Sequence, residues 1–239
     1  MERELTRSRI GMEHKWLGLG LLAMGVAGLV SIVAVPPEGA RPAGAAAASD
    51  AVRALPWGGE DGGIGVYDAL ALRRASRDFA RGGRLPDEVL GRILWAASGV
   101  NRDDGRLTIP TALDSRDLGV FVLDRDGVWL YLPEEHALQL RRAGDWRAAS
   151  GKQGFAGKAA VNLVYALDPS VQAEKGVPEE AIALNGAFEA GCAAQGVALA
   201  CASEGLKNVV RGSWPPEELA EALDLPEGWR ILMAQSVGP

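Results

Sequence analysis

The run Arg73-Arg74-Ala75-Ser76-Arg77-Asp78-Phe79 sets three arginines within five residues. A guanidinium presents a rigid fork of N–H donors that matches phosphate or carboxylate, so a fixed cluster of them is a candidate seat for an anionic ligand. The cluster follows an apolar helical pattern, Val66, Leu70 and Leu72, which predicts a core-packed helix just before it. The competing reading is a solvated helix end whose cations offset the C-terminal dipole. About twenty residues later comes Leu94-Trp95-Ala96-Ala97-Ser98-Gly99-Val100-Asn101-Arg102, a second block of apolar and polar residues at helical spacing.

The rest of the composition narrows the chemistry. The chain has 239 residues, 25 Lys+Arg against 31 Asp+Glu, and a formal net charge of -6. That balance argues against a nucleic-acid footprint and makes the arginines a local positive spot on an acidic protein. The only histidines are His14 and His136, and the only cysteines Cys192 and Cys201. No metal-ligand spacing or His-based nucleophile follows from these residues. The cysteines fall nine positions apart in one helical pattern, roughly 13 Å at 1.5 Å rise per residue, so they are expected as unpaired core residues.

The elements that must hold these residues begin after an N-terminal region of a different kind. Arg3, Arg7, Arg9 and Lys15 precede an uncharged apolar run from Trp16 to Val35. Such a run is long enough to span a bilayer, and basic residues on its N-terminal side direct the chain beyond it outward. Residues 1–35 are therefore expected to be a signal peptide or a membrane anchor. The small-residue tracts Ala43-Gly44-Ala45 and Ala46-Ala47-Ala48 leave cleavage open. The protein is expected to be exported across the cytoplasmic membrane, touching the membrane only through this segment. Residues 36–61, rich in Pro, Ala and Gly, read as a linker, and residues 62–239 as one folded domain.

Within that domain, 64–74 and 86–98 read as helices, the second opening on Pro86-Asp87-Glu88. Residues 118–123 and 128–132 read as strands joined by Asp124-Arg125-Asp126-Gly127, because Asp-Gly favours a hairpin. Ala160–Leu167 reads as a strand buried on both faces. Pro178–Ser203 is the longest helical pattern, 215–223 is another, and Arg230–Val237 is a last strand. Helices and strands mix without strict alternation, which gives the α+β class.

These blocks, in this order and spacing from about Leu55 onward, resemble the nitroreductase superfamily, and within it the exported or SagB/ThcOx-like branch. Arg73–Phe79 is similar to that family's Arg-Arg-Ser-x-Arg-x-Phe, and Leu94–Arg102 to its Leu-Trp-Ala-Ala-x-Gly-Ile-Asn-Arg. Further similar blocks are Gly105-Arg106 through Pro110-Thr111-Ala112, Gly151-Lys152-Gln153, Ala160–Tyr165, Ala202–Leu206 and Val209–Trp214. The resemblance implies an antiparallel sheet wrapped in helices and a homodimer with FMN at each subunit interface. It implies an FMN-dependent oxidoreductase, with NAD(P)H as a candidate electron donor, that passes hydride through flavin N5 to or from a small-molecule substrate. It also assigns Arg73 and Arg74 to the phosphate and ribityl side, and Ser76, adjacent to the position of the family's Ser, is a further cofactor-binding candidate. Arg77 falls to the ring, whose reduced form carries negative charge near N1 and O2. Arg211-Gly212 would present backbone to N5, where a glycine allows close approach; a plain turn before the Pro215 helix is the alternative that the order of the blocks weighs against. In this scheme no side chain need be catalytic, because the flavin carries the chemistry.

The chain departs from the family pattern at several of these positions. Ala75 stands where a Ser is usual. Asp114 replaces an Asn, and a carboxylate accepts hydrogen bonds without donating them. Arg116 replaces a Gln and would pair with Asp114 or reach the phosphate. Relatives carry a basic residue beyond the last strand, and Ser236-Val237-Gly238-Pro239 has none. In the long helix, Glu189-Ala190-Gly191 and Gln195-Gly196-Val197-Ala198-Leu199 replace Asp-Ala-Gly and Gln-Asn-Val-Tyr-Leu. These departures support a second expectation: a flavin-free member of the fold that serves as a binding or scaffold protein.

Overall fold

The computed structural model describes residues 51–57, 63–80 and 83–239. The apolar run 16–35 and its basic flank lie outside them. Among the described residues no helix is long and apolar enough to cross a membrane. The elements in chain order are β1 (Val52–Ala54), α1 (Val66–Leu72), α2 (Asp87–Ser98), β2 (Leu118–Leu123), β3 (Gly127–Leu132) and β4 (Ala137–Ala143). They continue with β5 (Val161–Leu167), α3 (Pro169–Glu174), α4 (Glu179–Ser203), β6 (Lys207–Arg211), α5 (Pro216–Leu223) and β7 (Arg230–Gly238). The strands form one seven-stranded sheet in the order β1-β4-β3-β2-β5-β7-β6, with every neighbouring pair antiparallel. This is the α+β architecture expected from the pattern.

The sheet is covered on both faces, so its central strands read as nearly continuous apolar runs. All of β5, Val-Asn-Leu-Val-Tyr-Ala-Leu, is buried. On one face Val120, Val122, Leu163 and Tyr165 pack under Leu90, Ile93 and Leu94 of α2 and Val197 and Cys201 of α4. On the other, Phe121, Leu123 and Val164 pack under Leu219 and Leu223 of α5. Helices α2 and α4 cross closely at Gly196, where an added Cβ would lie 2.4 Å from the Ala96 carbonyl oxygen. A polar chain threads the first face: Tyr165 donates to Gln235 Oε1 at 2.7 Å, and the Gln235 amide donates to Asn208 Oδ1 and the Ala194 carbonyl, both at 3.2 Å.

Several expectations change. Pro86 is the N-cap of α2 and lies outside its first turn. The predicted first helix is short, and Val66, Leu70 and Leu72 are exposed; Ala69 is its buried residue. Cys192 is exposed on α4, while Cys201 is buried, and both are free thiols. The segment read as linker contains an edge strand, β1, which pairs antiparallel with β4, and its Arg53 is held by Asp87 and by Asp124 at 3.1 Å. Strands β4 and β6 and helix α3 emerge from pairings that a local pattern does not announce.

Candidate functional site

The arginine run forms a strip that meets the free edge of β6 at Asn208. Ala75 makes a parallel bridge to Asn208, and the Ser76 N–H donates to the Asn208 carbonyl at 2.8 Å. Beyond that bridge the chain returns toward the start of β6: the Ala80 N–H donates to the carbonyl of Pro239 at 3.2 Å, next to the Gly238 that pairs with Lys207. Phe79 anchors it, packed with Phe155, Ala159 and Val209. The side chains of Arg73, Arg74 and Arg77 are exposed. Arg74 donates to the Leu72 carbonyl, whereas Arg73 and Arg77 make no side-chain hydrogen bond or ion pair among the described residues. The Ser76 hydroxyl is engaged locally, accepting the Asp78 N–H at 3.4 Å. Cations held by backbone anchoring and left without carboxylate partners are free to take an external anion.

The same strand ends at Arg211-Gly212. A Cβ at Gly212 would meet nothing within 4 Å, so no contact inside the protomer demands glycine there, and the backbone stands open to approach. The Arg211 side chain turns the other way and is buried. Its Nε donates to Ser236 Oγ at 3.1 Å, its Nη2 to Ser150 Oγ at 3.1 Å and Asn162 Oδ1 at 2.9 Å, and its Nη1 to the Ser150 carbonyl. Burial lowers its pKa to about 10. Gly151 makes room for it: a Cβ there would sit 2.1 Å from Nη1. The sequence marks this position for its backbone, and the inward guanidinium is not legible in it.

Asp114 and Arg116 lie elsewhere. They precede β2, whose first residue pairs with Leu167 at the end of β5, whereas Asn208 is level with Val161 at its start. With about 3.4 Å per residue and 4.8 Å between strands, they are roughly 20 Å from the arginine strip. One protomer does not bring the two groups together. Arg116 pairs with Glu134 at 2.9 Å and Asp114 at 3.5 Å, all at the surface. The loop is nonetheless built under strain. Leu113, Asp114 and Arg116 have φ of 53°, 51° and 50°, a left-handed conformation that costs a side-chain-bearing residue roughly 1–2 kcal/mol.

A buried carboxylate fastens that loop. Glu189 of α4 accepts the Ala112 N–H at 2.6 Å, and its second oxygen is buried with no hydrogen-bond partner among the described residues. Burial, reinforced by the neighbouring Asp117 carboxylate, raises the Glu189 pKa to about 7. Asp117 is itself held by the Ser115 hydroxyl and the Gln172 amide, each at 2.8 Å. Glu189 is legible in the sequence only as the acid of an Asp-Ala-Gly-like motif; its grip on a loop 77 residues away is not.

Known proteins are similar to this chain in sequence and in fold. The model of the nitroreductase family matches residues 70–239, which begins just before the arginine strip and includes the last strand. A Methanocaldococcus jannaschii protein assigned as a nitroreductase is 30% identical over 184 residues, covering 71% of this chain and 89% of its own. A crystal structure of a Ralstonia eutropha protein, described as a nitroreductase, is 33% identical with a TM-score of 0.73, covering 87% of this chain and 98% of that one. A Desulfovibrio desulfuricans nitroreductase solved in complex with FMN shares the fold at 21% identity and a TM-score of 0.52, over 73% of this chain and 86% of that one.

Proposed function

Because this chain belongs to the nitroreductase family, we propose that it is an FMN-dependent oxidoreductase acting on a small organic substrate as a homodimer. The observation that carries this reading is the strip at β6, where Arg73 and Arg77 have no acidic partner among the described residues and Gly212, just past the end of the same strand, has open backbone. That donor set fits FMN: a phosphate needs cations, and a flavin edge needs backbone it can approach closely. When bound, the flavin supplies the two-electron chemistry by taking and giving hydride at N5. The protein's own residues do the rest. Arg73 and Arg74 hold the phosphate side, and Arg77 places a cation by the pyrimidine edge, where it favours the reduced form. The Gly212 backbone fixes the ring's position.

The separation of Asp114 and Arg116 from the strip supports a two-chain site. In a homodimer a second copy supplies the half that one protomer lacks. The same reading includes export through residues 16–35, on the strength of their apolar run and basic flank. An enzyme outside the cytoplasm would draw electrons from a donor other than soluble NAD(P)H, or run as a dehydrogenase.

The test is direct. The purified full-length chain, incubated with excess FMN and desalted, should retain the flavin's visible absorption band and bleach with dithionite under anaerobic conditions. Arg77→Glu should weaken FMN binding at least tenfold. A wild-type protein that remains colourless overturns the enzyme reading in favour of a flavin-free binding protein.

A further inference from the structure

Two arginines are buried to the same degree on the face of the sheet covered by residues 147–159, and the fold treats them differently. Arg147 and Arg211 are each 5% exposed. Arg147 pairs with Asp145 at 2.7 Å. Arg211 has only neutral acceptors: the Ser150 hydroxyl and carbonyl, Asn162 Oδ1 and Ser236 Oγ. Those contacts use four of its five N–H groups. Removing a cation from water without a counter-charge costs free energy that neutral dipoles only partly return. Burial lowers the Arg211 pKa to about 10, so the group is still a cation at neutral pH.

The position of this unpaired charge matters. Arg211 immediately precedes Gly212, and its Cζ lies 6.0 Å from the centroid of the Phe155 ring. The Phe155 ring centroid lies 6.1 Å from that of Phe79, two residues beyond Arg77. The buried guanidinium is therefore linked through Phe155 to the Phe79 that anchors the arginine run, on a paired strand and in a cage that stops it from swinging out to solvent. A fixed charge in a water-poor setting acts more strongly on a neighbouring charge than a solvated one does.

We propose that Arg211 sets the electron affinity of the bound cofactor: its caged guanidinium is the standing counter-charge for the reduced flavin. This rests on the reading that FMN lies along β6 by Gly212. Adding two electrons and one proton leaves the ring one unit more negative than its oxidised form. A cation held close by therefore tightens binding of the reduced form more than of the oxidised form, and raises the midpoint potential. Arg211 need not touch the ring to do so.

The experiment is an equilibrium redox titration of the FMN-loaded full-length chain with dithionite and an indicator dye, in wild type, Arg211→Lys and Arg211→Met. Thermal unfolding of the flavin-free proteins is recorded alongside. Arg211→Met should lower the potential by about 30 mV or more, which is a tenfold loss of preference for the reduced flavin in a two-electron couple. Arg211→Lys, which keeps the charge, should stay within half of that shift. A purely structural role predicts lower thermal stability and equal weakening of both oxidation states, with the potential unmoved; that outcome overturns the proposal. If Arg211→Met does not fold, Arg211→Gln, which keeps donors for the same cage, is titrated under the same criterion. Wild-type protein that binds no FMN would remove the functional reading and this proposal together. A loaded wild type with an insensitive potential would remove this proposal alone.

Discussion

At the scale of single residues, the candidate site combines charges that are free with charges that are spent. Arg73 and Arg77 are available to an outside anion, while Glu189 is committed to holding the strained Ala112–Arg116 loop. That commitment makes the loop sensitive to pH. Glu189 is raised to about 7 in the folded chain, above the ordinary carboxylate range near 4.3 that it regains on unfolding. A raised folded pKa means that the native state binds more protons than the unfolded state between these values. The stabilisation is thus complete below about pH 4.3 and is lost as pH rises toward 7, at a slope of at most about 1.4 kcal/mol per pH unit. Glu189→Gln keeps an acceptor for the Ala112 N–H and removes the titration. Its stability relative to wild type should therefore grow from pH 4.5 to 7 and level off above that, read as urea midpoints across the range. A constant difference would mean that Glu189 does not titrate in this window.

At the scale of elements, legibility in the sequence tracks how local the signal is. Strands β2, β3, β5 and β7 and helices α2, α4 and α5 each carry their own period, apolar run or turn signal, and the structure returns them within a residue or two. The elements not legible there depend on partners far along the chain. The three residues of β1 are a strand only because they lie against β4, at a register of Val52↔Gln139. Strand β6 is short and begins and ends on charged residues. For the site, the arginine strip is legible as charge and the Val209–Gly212 run as backbone. The inward turn of Arg211 and the distance between Arg77 and Asp114 are not, because both depend on strand order. The clearest element-scale consequence concerns β1. Arg53 ties it to the N-terminal end of α2 through Asp87 and to the β2–β3 hairpin through Asp124 at 3.1 Å, and its Cζ lies 5.7 Å from the centroid of the Trp129 ring. Arg53 and Asp87 are partly exposed while Asp124 is buried, so Arg53→Ala should cost about 1–2 kcal/mol in denaturant unfolding and make residues 51–57 an early site of proteolysis. An unchanged midpoint would show that β1 contributes no stability through this arginine.

At the scale of the whole molecule, the described surface carries more exposed apolar side chains on one pair of elements than a solvated face requires. Val66, Tyr67 and Leu70 of α1 and Leu184 and Phe188 of α4 are all exposed, Tyr67 at 83% and Phe188 at 63%, and α1 lies against α4. Leu184 and Phe188 are one helical turn apart and continue through Gly191 and Cys192 to Gln195, a stripe with few charges along the longest helix. Apolar side chains grouped this way are characteristic of surfaces covered by a partner. The proposed homodimer supplies that cover, and it also explains how an arginine strip and an Asp114–Arg116 loop roughly 20 Å apart in one protomer can serve one ligand. The two consequences are linked, so they should fail together. Leu184→Asp combined with Phe188→Asp should convert a dimer to a monomer in sedimentation velocity and weaken FMN binding at least tenfold. Far-ultraviolet circular dichroism should be unchanged, since neither side chain belongs to the core. A monomeric variant that binds FMN as tightly as wild type would place the whole site within one protomer and remove any role for the loop across the interface. A wild type that already sediments as a monomer would remove the dimer itself and leave the α1–α4 face without a covering partner.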